Sequence, residues 1–313
     1  MDLTKLTRNQ LLAKCKELKK TKYSSKIKAD LIKMIEEHNF KKPQTTGLKR
    51  DTIDKFYTKH EVVLNCLNYI NENLNIDKEN DLIIEPSAGN GAFINIIKTL
   101  SNNFKFYDIE PDDDEIVKQD YLKLDYDDFD FLKIHLLGNP PFGRQSSLAI
   151  KFIKKSCEFC DSISFILPKS FKKDSLRKHF PLNFHLIFET DLPKNSFMIN
   201  DKECDVPSIF QIWEKRDYKR EMVVKLNPSC YKFVEKIDNP DISFRRVGIN
   251  AGDIDIDFED KSIQSHYFIK FTSRKIEDIL KKLKKITFDF NNTVGPKSIS
   301  KQELIKEFNK VLK

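Results

Sequence analysis

The chain has 313 residues, 39% of them hydrophobic, enough to fill the cores of one or two domains and a small appendage. No apolar run approaches the roughly 18 residues of a membrane span and no basic-then-apolar leader opens the chain; it reads as soluble and unsecreted, a cytoplasmic or nuclear protein or a viral one in an infected cell. The net charge of +7 is unevenly held, since residues 1–50 carry 14 Lys/Arg against 5 Asp/Glu, residues 51–215 carry 20 against 28, and residues 270–313 carry 12 against 5. Basic ends around an acidic middle suggest a polyanion gripped from both sides of a catalytic body.

Residues 3–38 read as two short amphipathic helices. Thr4 offers an N-cap, Leu11, Cys15 and Leu18 recur at helical spacing, and after a break at 21–25 the second helix carries Ile27, Leu31 and Met34 or Ile35 on one face. The leucine pattern with Ser25-Lys26-Ile27-Lys28-Ala29-Asp30-Leu31 resembles a SAP motif, a small helical DNA-binding module, which would put Lys26 and Lys28 on nucleic-acid backbone. Residues 41–53 contain Pro43 and Gly47 and no apolar period, as a linker does.

From residue 54 the pattern alternates. Helix 61–74, with Thr58 as a candidate cap, precedes strand 82–84, helix 92–100, strand 104–107, a short element at 116–118, strand 134–137, helix 147–157 and strand 162–167. Alternation of this kind predicts an α/β fold, a doubly wound Rossmann-like sheet with its ligand at the carboxyl ends of the strands. The six cysteines are scattered, which suits a reducing compartment, and the lone Cys157-Glu-Phe-Cys160 reads as two small apolar residues on a helix, with no metal site.

The expected strand ends carry a consistent set of groups. Glu85-Pro-Ser87-Ala-Gly89-Asn-Gly91 is a strand end and glycine turn whose Gly89 and Gly91 let the backbone approach a ligand; the acid ahead of the turn suits a cation rather than a phosphate. Asp108 is positioned for a ribose diol and Asp120 for an adenine amino group. Asn139-Pro140-Pro141-Phe142 ends a buried strand in a rigid polar corner, because two prolines fix their own φ and restrain the residues before them. The Asn139 carboxamide and the Pro140 carbonyl form a pair of acceptors for an exocyclic NH2, and Phe142 offers a face to a flat ring.

Phe56-Tyr57-Thr58, Glu85 to Phe93, Asp108 to Pro111, Asp120 and Asn139 to Phe142 are similar, in this order, to the motifs of gamma-class S-adenosylmethionine-dependent adenine-N6 DNA methyltransferases. The resemblance runs over about residues 54–215, through Ser164 to Phe171 and the aromatic Phe197. It implies a methyltransferase catalytic domain with S-adenosyl-L-methionine as cofactor, held by Tyr57, Thr58, Glu85, Ser87, Gly89, Gly91, Asp108 and Asp120. It also implies an adenine oriented by Asn139 and Pro140 and stacked between Phe142 and Phe197. Target recognition in that class lies C-terminal, which assigns it to residues 216–313, a small α+β region where period-two alternation at 245–258 and 266–271 predicts strands and 277–285 and 301–313 predict basic helices. Arg245 and Arg246 are candidates there for backbone contact.

The expected activity is transfer of a methyl group to adenine N6 in DNA, without metal or membrane. The alternatives are an RNA adenine methyltransferase, since Asn-Pro-Pro-Phe-Gly also resembles ribosomal RNA enzymes; a protein-glutamine methyltransferase, which usually has Tyr at the position of Phe142; or a catalytically silent DNA-binding scaffold. A partner restriction nuclease, known for this class, has no residue here that reads it out.

Overall fold

The computed structural model describes residues 6–17, 27–32, 56–199, 202–272 and 276–312. The chain divides into two compact units, Met1–Asp54 and Lys55–Lys313. In the first, helix α1 (Arg8–Glu17) opens on a reciprocal cap, with the Thr7 amide donating to Gln10 Oε1 at 2.8 Å and the Gln10 amide to Thr7 Oγ1 at 3.4 Å. The cap therefore falls on Thr7; Thr4 lies outside the described residues, as do Leu18, Lys26, Met34, Ile35 and the expected linker. Leu11 and Leu31 are fully buried in a small cluster with Leu6, Leu12 and Ile32. Ile27, expected on that apolar face, is 65% exposed, because the second helical stretch, 28–32, begins only after it; Lys28 is exposed.

The second unit is built on strands β1 (Tyr57–Thr58), β2 (Leu82–Glu85), β3 (Asn103–Asp108), β4 (Val117–Lys118), β5 (Ile134–Gly138), β6 (Ser162–Pro168), β7 (Phe184–Asp191), β8 (Phe197–Ile199), β9 (Lys202–Cys204) and β10 (Ser208–Lys215). Seven of them form one sheet in the order β4-β3-β2-β5-β6-β10-β7. The strands from β4 to β6 run parallel, and β10 is inserted antiparallel to both β6 and β7. This is an α/β, doubly wound, Rossmann-like sheet. The winding reverses between β2 and β5, so their carboxyl ends border the crevice where ligands bind in open α/β sheets.

The central parallel strands β2, β5 and β6 are buried at every residue because helices cover both faces, whereas β3 is buried only in part and the edge strand β4 is exposed. Helices α2 (His60–Asn73) and α3 (Ile94–Leu100) supply Val62, Val63, Cys66, Ile70, Ile96 and Ile97 to a core on one side. Helix α4 (Ser147–Ser156) supplies Ala149, Phe152 and Ile153 to the other. Each such Leu, Ile or Phe contributes about 1.5–3 kcal/mol on full burial. Cys160 is fully buried and Cys157 half-buried in the second core, and among the described residues no group of three or more His, Cys, Asp or Glu is arranged to hold a metal. No described helix is long and apolar enough to cross a membrane.

One polar chain crosses the amino ends of three strands. His135 Nε2 lies 3.1 Å from Asp81 Oδ2 and its Nδ1 lies 2.7 Å from Ser162 Oγ, all three side chains being buried. Burial holds the His135 imidazole below its ordinary pKa, against the opposing pull of Asp81.

A four-stranded antiparallel sheet follows, in the order β11-β14-β12-β13: β11 (Tyr231–Val234), β12 (Ile242–Arg245), β13 (Ile254–Asp255) and β14 (His266–Phe271). It packs with helices α5 (Ile276–Leu283) and α6 (Lys301–Leu312) around Phe244, Ile269, Leu304 and Phe308. The alternation at 245–258 yields only Arg245 and the two residues of β13 as strand, because 246–252 is a turn with Gly248 and Gly252 at φ 106° and 107°.

Candidate active site

The corner at 139–142 is fixed from three directions. Ser87 Oγ donates to the carbonyl of Asn139 at 3.2 Å, joining the loop after β2 to the end of β5. The Asn139 Nδ2 donates to the Phe56 carbonyl at 3.2 Å and to Thr58 Oγ1 at 3.3 Å. Since a backbone carbonyl can only accept, this pairing decides which way the amide faces. Both hydrogens of Nδ2 are then spent on the segment at β1, and Oδ1 is left as acceptor. No described group donates to Oδ1 or to the Pro140 carbonyl. The Phe142 carbonyl accepts from the amides of Leu148 and Ala149 at 3.2 and 3.4 Å, which ties the corner to the start of α4.

Thr58 is therefore not the cap of α2. Lys59 holds that position without a side-chain cap bond, and Thr58 pairs in register with Phe197 of β8. Helix α3 likewise begins at Ile94 rather than at residue 92, because 89–93 are turn, with the Gly91 amide donating to the Ala88 carbonyl at 2.8 Å.

The glycine loop and the two acids before and after it form one cluster. Gly89 has φ 54°, and a Cβ there would stand 3.3 Å from the Tyr57 ring, so the loop lies directly against β1. Its amide donates to Asp108 Oδ2 at 2.8 Å, and Asp108 Oδ1 accepts from the Glu110 amide at 2.8 Å. Asp108, at the carboxyl end of β3, thus positions the loop. The Tyr57 hydroxyl donates to Asp112, and burial, then that bond, pushes its pKa up to about 12. Asp120 follows β4 one residue after Gln119, whose amide donates to the Asp108 carbonyl at 2.8 Å; its own Oδ1 accepts from the Leu122 amide at 3.1 Å.

Glu85 is the anomalous group. It is 1% exposed, and its Oε2 has no hydrogen-bond partner. Gly138 makes room for it: at φ 148°, a Cβ on this residue would stand 3.1 Å from Glu85 Cγ. Burial first, and then the nearby Asp108, holds the Glu85 carboxyl well above its usual range. A buried carboxyl with an unpartnered oxygen at the switch point could take up a cationic or hydrogen-donating group.

Phe197 departs from its expected position. It is 1% exposed and meets Phe56 edge-on, with centroids 6.0 Å apart at 66°, so it belongs to the core and has no free face for a base. Phe56, which precedes the Tyr57-Thr58 pair, lies near-parallel to Phe142, their centroids 6.5 Å apart. Arg245 Nε donates to the Val247 carbonyl at 3.2 Å; Arg246 Nη2 donates to the Gln264 carbonyl at 2.8 Å, its guanidinium lying 5.4 Å from the Tyr267 ring centroid. Arg245 braces the 246–252 turn, and Arg246 ties its first residue to Gln264 and Tyr267. A separate cleft of about 500 Å³, lined by Glu79, Asn80, Asn103 and Leu132 among others, gathers none of the motif residues.

No family model and no curated protein sequence matches the chain. Among solved structures, a Pyrococcus horikoshii protein described as a candidate RNA methyltransferase is 14% identical, covering 52% of this chain and 89% of its own, with a TM-score of 0.40. The 23S rRNA methyltransferase ErmE is 11% identical over 52% of this chain and 71% of its own, with a TM-score of 0.39. An rRNA methylase from Streptococcus thermophilus is 12% identical over 50% and 97%, with a TM-score of 0.34. At these scores it is the strand order that defines the fold.

Proposed function

We propose that this protein transfers a methyl group from S-adenosylmethionine to the N6 amino group of adenine in DNA. The observation that carries the reading is the Asn139 amide, whose Nδ2 is held by Phe56 and Thr58 so that Oδ1 and the Pro140 carbonyl remain as paired acceptors. Two acceptors match the two hydrogens of an exocyclic amine. Accepting both would turn the nitrogen lone pair out of conjugation with the ring and toward an electrophile, and the surplus proton of the methylated nitrogen would leave through the same acceptors to water. The rest of the rate comes from positioning, with effective molarities of about 10⁵ M or more.

The residues fit the cofactor. S-adenosylmethionine, when bound, supplies a methyl group activated on a positively charged sulfur and carries an ammonium group besides. Glu85, with its orphan Oε2, would receive that cationic end; Gly89 and Gly91 would let the loop approach it; Asp108 would take the ribose and Asp120 the adenine. Tyr57, Thr58 and Ser87 would act through the loop and the corner, since their polar atoms are engaged there.

Residues 1–40 would serve as a SAP-like grip on duplex backbone through Lys26 and Lys28, residues 41–53 as a linker, residues 54–215 as the catalytic domain, and residues 216–313 as the recognition region, with Arg245 and Arg246 near the nucleic acid. An intracellular setting suits that substrate. The test is incubation with methyl-labelled donor and either DNA or RNA, followed by digestion to nucleosides. Label in N6-methyldeoxyadenosine supports the proposal, label confined to RNA changes the substrate, and label in neither, with cofactor bound, overturns it.

A further inference from the structure

The connection between β10 and β11 is anchored at both ends and unsupported in the middle. Arg220 holds the first end. Its amide donates to the Leu182 carbonyl at 2.8 Å, and its guanidinium donates to the carbonyls of Phe180, Phe184 and Arg177 at 2.8, 3.0 and 3.3 Å. Helix α6 holds the second end through two side-chain amides. Gln302 Oε1 accepts from the Leu226 amide at 2.8 Å while its Nε2 donates to the Leu226 carbonyl at 3.1 Å. Asn309, two turns along the same helix face, accepts from the Ser229 amide at 2.9 Å and donates to the Asn227 carbonyl at 2.8 Å.

Between these anchors residues 221–225 are all exposed, and no described group bonds to their backbone amides or carbonyls. None of them lies in a helix, strand or turn, and none has a positive φ. Met222, Val223 and Val224 are 72%, 63% and 78% exposed, the one place among the described residues where three large apolar side chains in succession face solvent. Single exposed apolar residues are ordinary. A run of them centred on two valines, with a free backbone, has the properties of an open strand edge.

The flanking charges select what pairs with that edge. Glu221 and Lys225 stand two residues to either side of Val223, and neither has an ion-pair partner among the described residues. In an antiparallel pair of two such segments centred on Val223, Glu221 of each copy faces Lys225 of the other, and Met222 faces Val224. A parallel pair would instead oppose Glu221 to Glu221 and Lys225 to Lys225. Opposite charges across a strand pair stabilise it and like charges destabilise it, so the segment complements itself about a two-fold axis.

We propose that residues 221–225 are the contact of a homodimer, in which the segment pairs antiparallel with the same segment of a second copy. The anchors at Arg220 and Leu226 hold the strand in place beforehand, which lowers the ordering cost of association. Five residues from each copy make a small contact beside the roughly 800 Å² per partner of a standard interface, so the dimer is weak, with Kd in about the micromolar range.

Sedimentation velocity of the full chain over about 2–200 µM reads this equilibrium. Wild type should pass from monomer to dimer across that range. Glu221→Lys alone and Lys225→Glu alone should each weaken the dimer at least about fivefold, because both cross-strand pairs become like-charged. The double variant, with the two charges exchanged, should regain wild-type association, and so should an equimolar mixture of the two single variants. Val223→Asp, which sets two carboxylates face to face, should be monomeric throughout. Unchanged thermal melting of these variants, whose altered side chains are exposed in the monomer, excludes unfolding as the cause. A wild type that stays monomeric at the highest concentration overturns the proposal, as does a dimer indifferent to the single exchanges or not restored by the double one.

Discussion

The Asn139 amide nitrogen donates to the Phe56 carbonyl, 83 residues earlier in the chain, at 3.2 Å. The rigid corner of two prolines fixes where Asn139 is, but this bond and its companion to Thr58 fix which way its oxygen faces.

Asn139→Ala should abolish methyl transfer, a loss on the order of 10²-fold or more in kcat, while cofactor affinity stays near wild type. Thr58→Val is the finer probe. It removes one of two acceptors from Nδ2 and should cost about 2- to 12-fold in kcat/KM, the worth of one ordinary hydrogen bond. Steady-state kinetics beside calorimetric cofactor titration reads both, and turnover within threefold of wild type in Asn139→Ala would refute the role.

Asp108→Ala should weaken S-adenosylmethionine binding by more than the removal of a ribose hydrogen bond would. The same carboxylate holds the Gly89 amide at 2.8 Å, so the loop is released as well. One charge-assisted bond alone accounts for about 1.5–3 kcal/mol, or roughly 10- to 150-fold in Kd. Asp108→Asn, which can still accept through its remaining oxygen, should fall between. An unchanged Kd in the alanine variant would show that the ribose is held elsewhere.

Glu85→Gln should stabilise the ligand-free protein at neutral pH and weaken cofactor binding at least tenfold. The folded-state pKa of Glu85 is raised, so the native protein retains a proton that the unfolded chain releases above about 4.5. Stability therefore declines as pH rises through that window, and the glutamine variant is spared the decline. Melting curves from pH 4 to 8 check this; the variant's advantage should grow with pH and vanish near the acid end.

His135 gives the opposite slope. Its folded-state pKa is lowered, so the unfolded chain takes up a proton first, and the stability held above about pH 6.5 is lost as pH falls below it. Denaturant unfolding at pH 5 and 7 should show a smaller pH difference in His135→Gln than in wild type, and equal differences would mean that another group carries the effect.

Deleting residues 1–45 should raise KM for a long duplex and flatten its salt dependence while leaving turnover at saturation intact. Each phosphate that the protein no longer neutralises takes about 0.9 from the slope of log K against log salt, and a tethered grip works by raising local concentration rather than by touching the base. The measurement compares full-length and truncated protein at two ionic strengths, and identical KM and slope would end the idea of a grip.

The parallel half of the sheet is legible in the sequence because its central strands β2, β5 and β6 are mostly apolar runs, and β2, β3 and β5 each end at a turn with chemistry in it. Glu85, Asp108 and Asn139 are found for that reason. Strands β7 and β10 are not, since Phe184–Asp191 mixes charged with apolar residues and Ser208–Lys215 carries Gln211 inside the core. Phe197 is buried rather than at the expected base site because its exposure depends on an antiparallel pairing between distant segments, which local periodicity does not encode. Thr58 looks like a helix cap for the same reason: a hydroxyl just ahead of a helix is indistinguishable in sequence from one turned toward another strand.

That pairing also fixes when the site is completed. Thr58 is matched to Phe197, and the Lys59 amide donates to the Ser196 carbonyl at 3.0 Å. At a synthesis rate of roughly 5–20 residues per second, the partner strand follows Thr58 on the order of 10 s later. Pairings of such long sequence separation form after local ones, because the loop must close before they stabilise anything. In refolding followed by pulsed hydrogen exchange, the Lys59 amide should therefore gain protection with Met198 and after Ile83. A nascent chain can possess its glycine loop and its Asn-Pro-Pro-Phe corner and still be unable to aim Asn139.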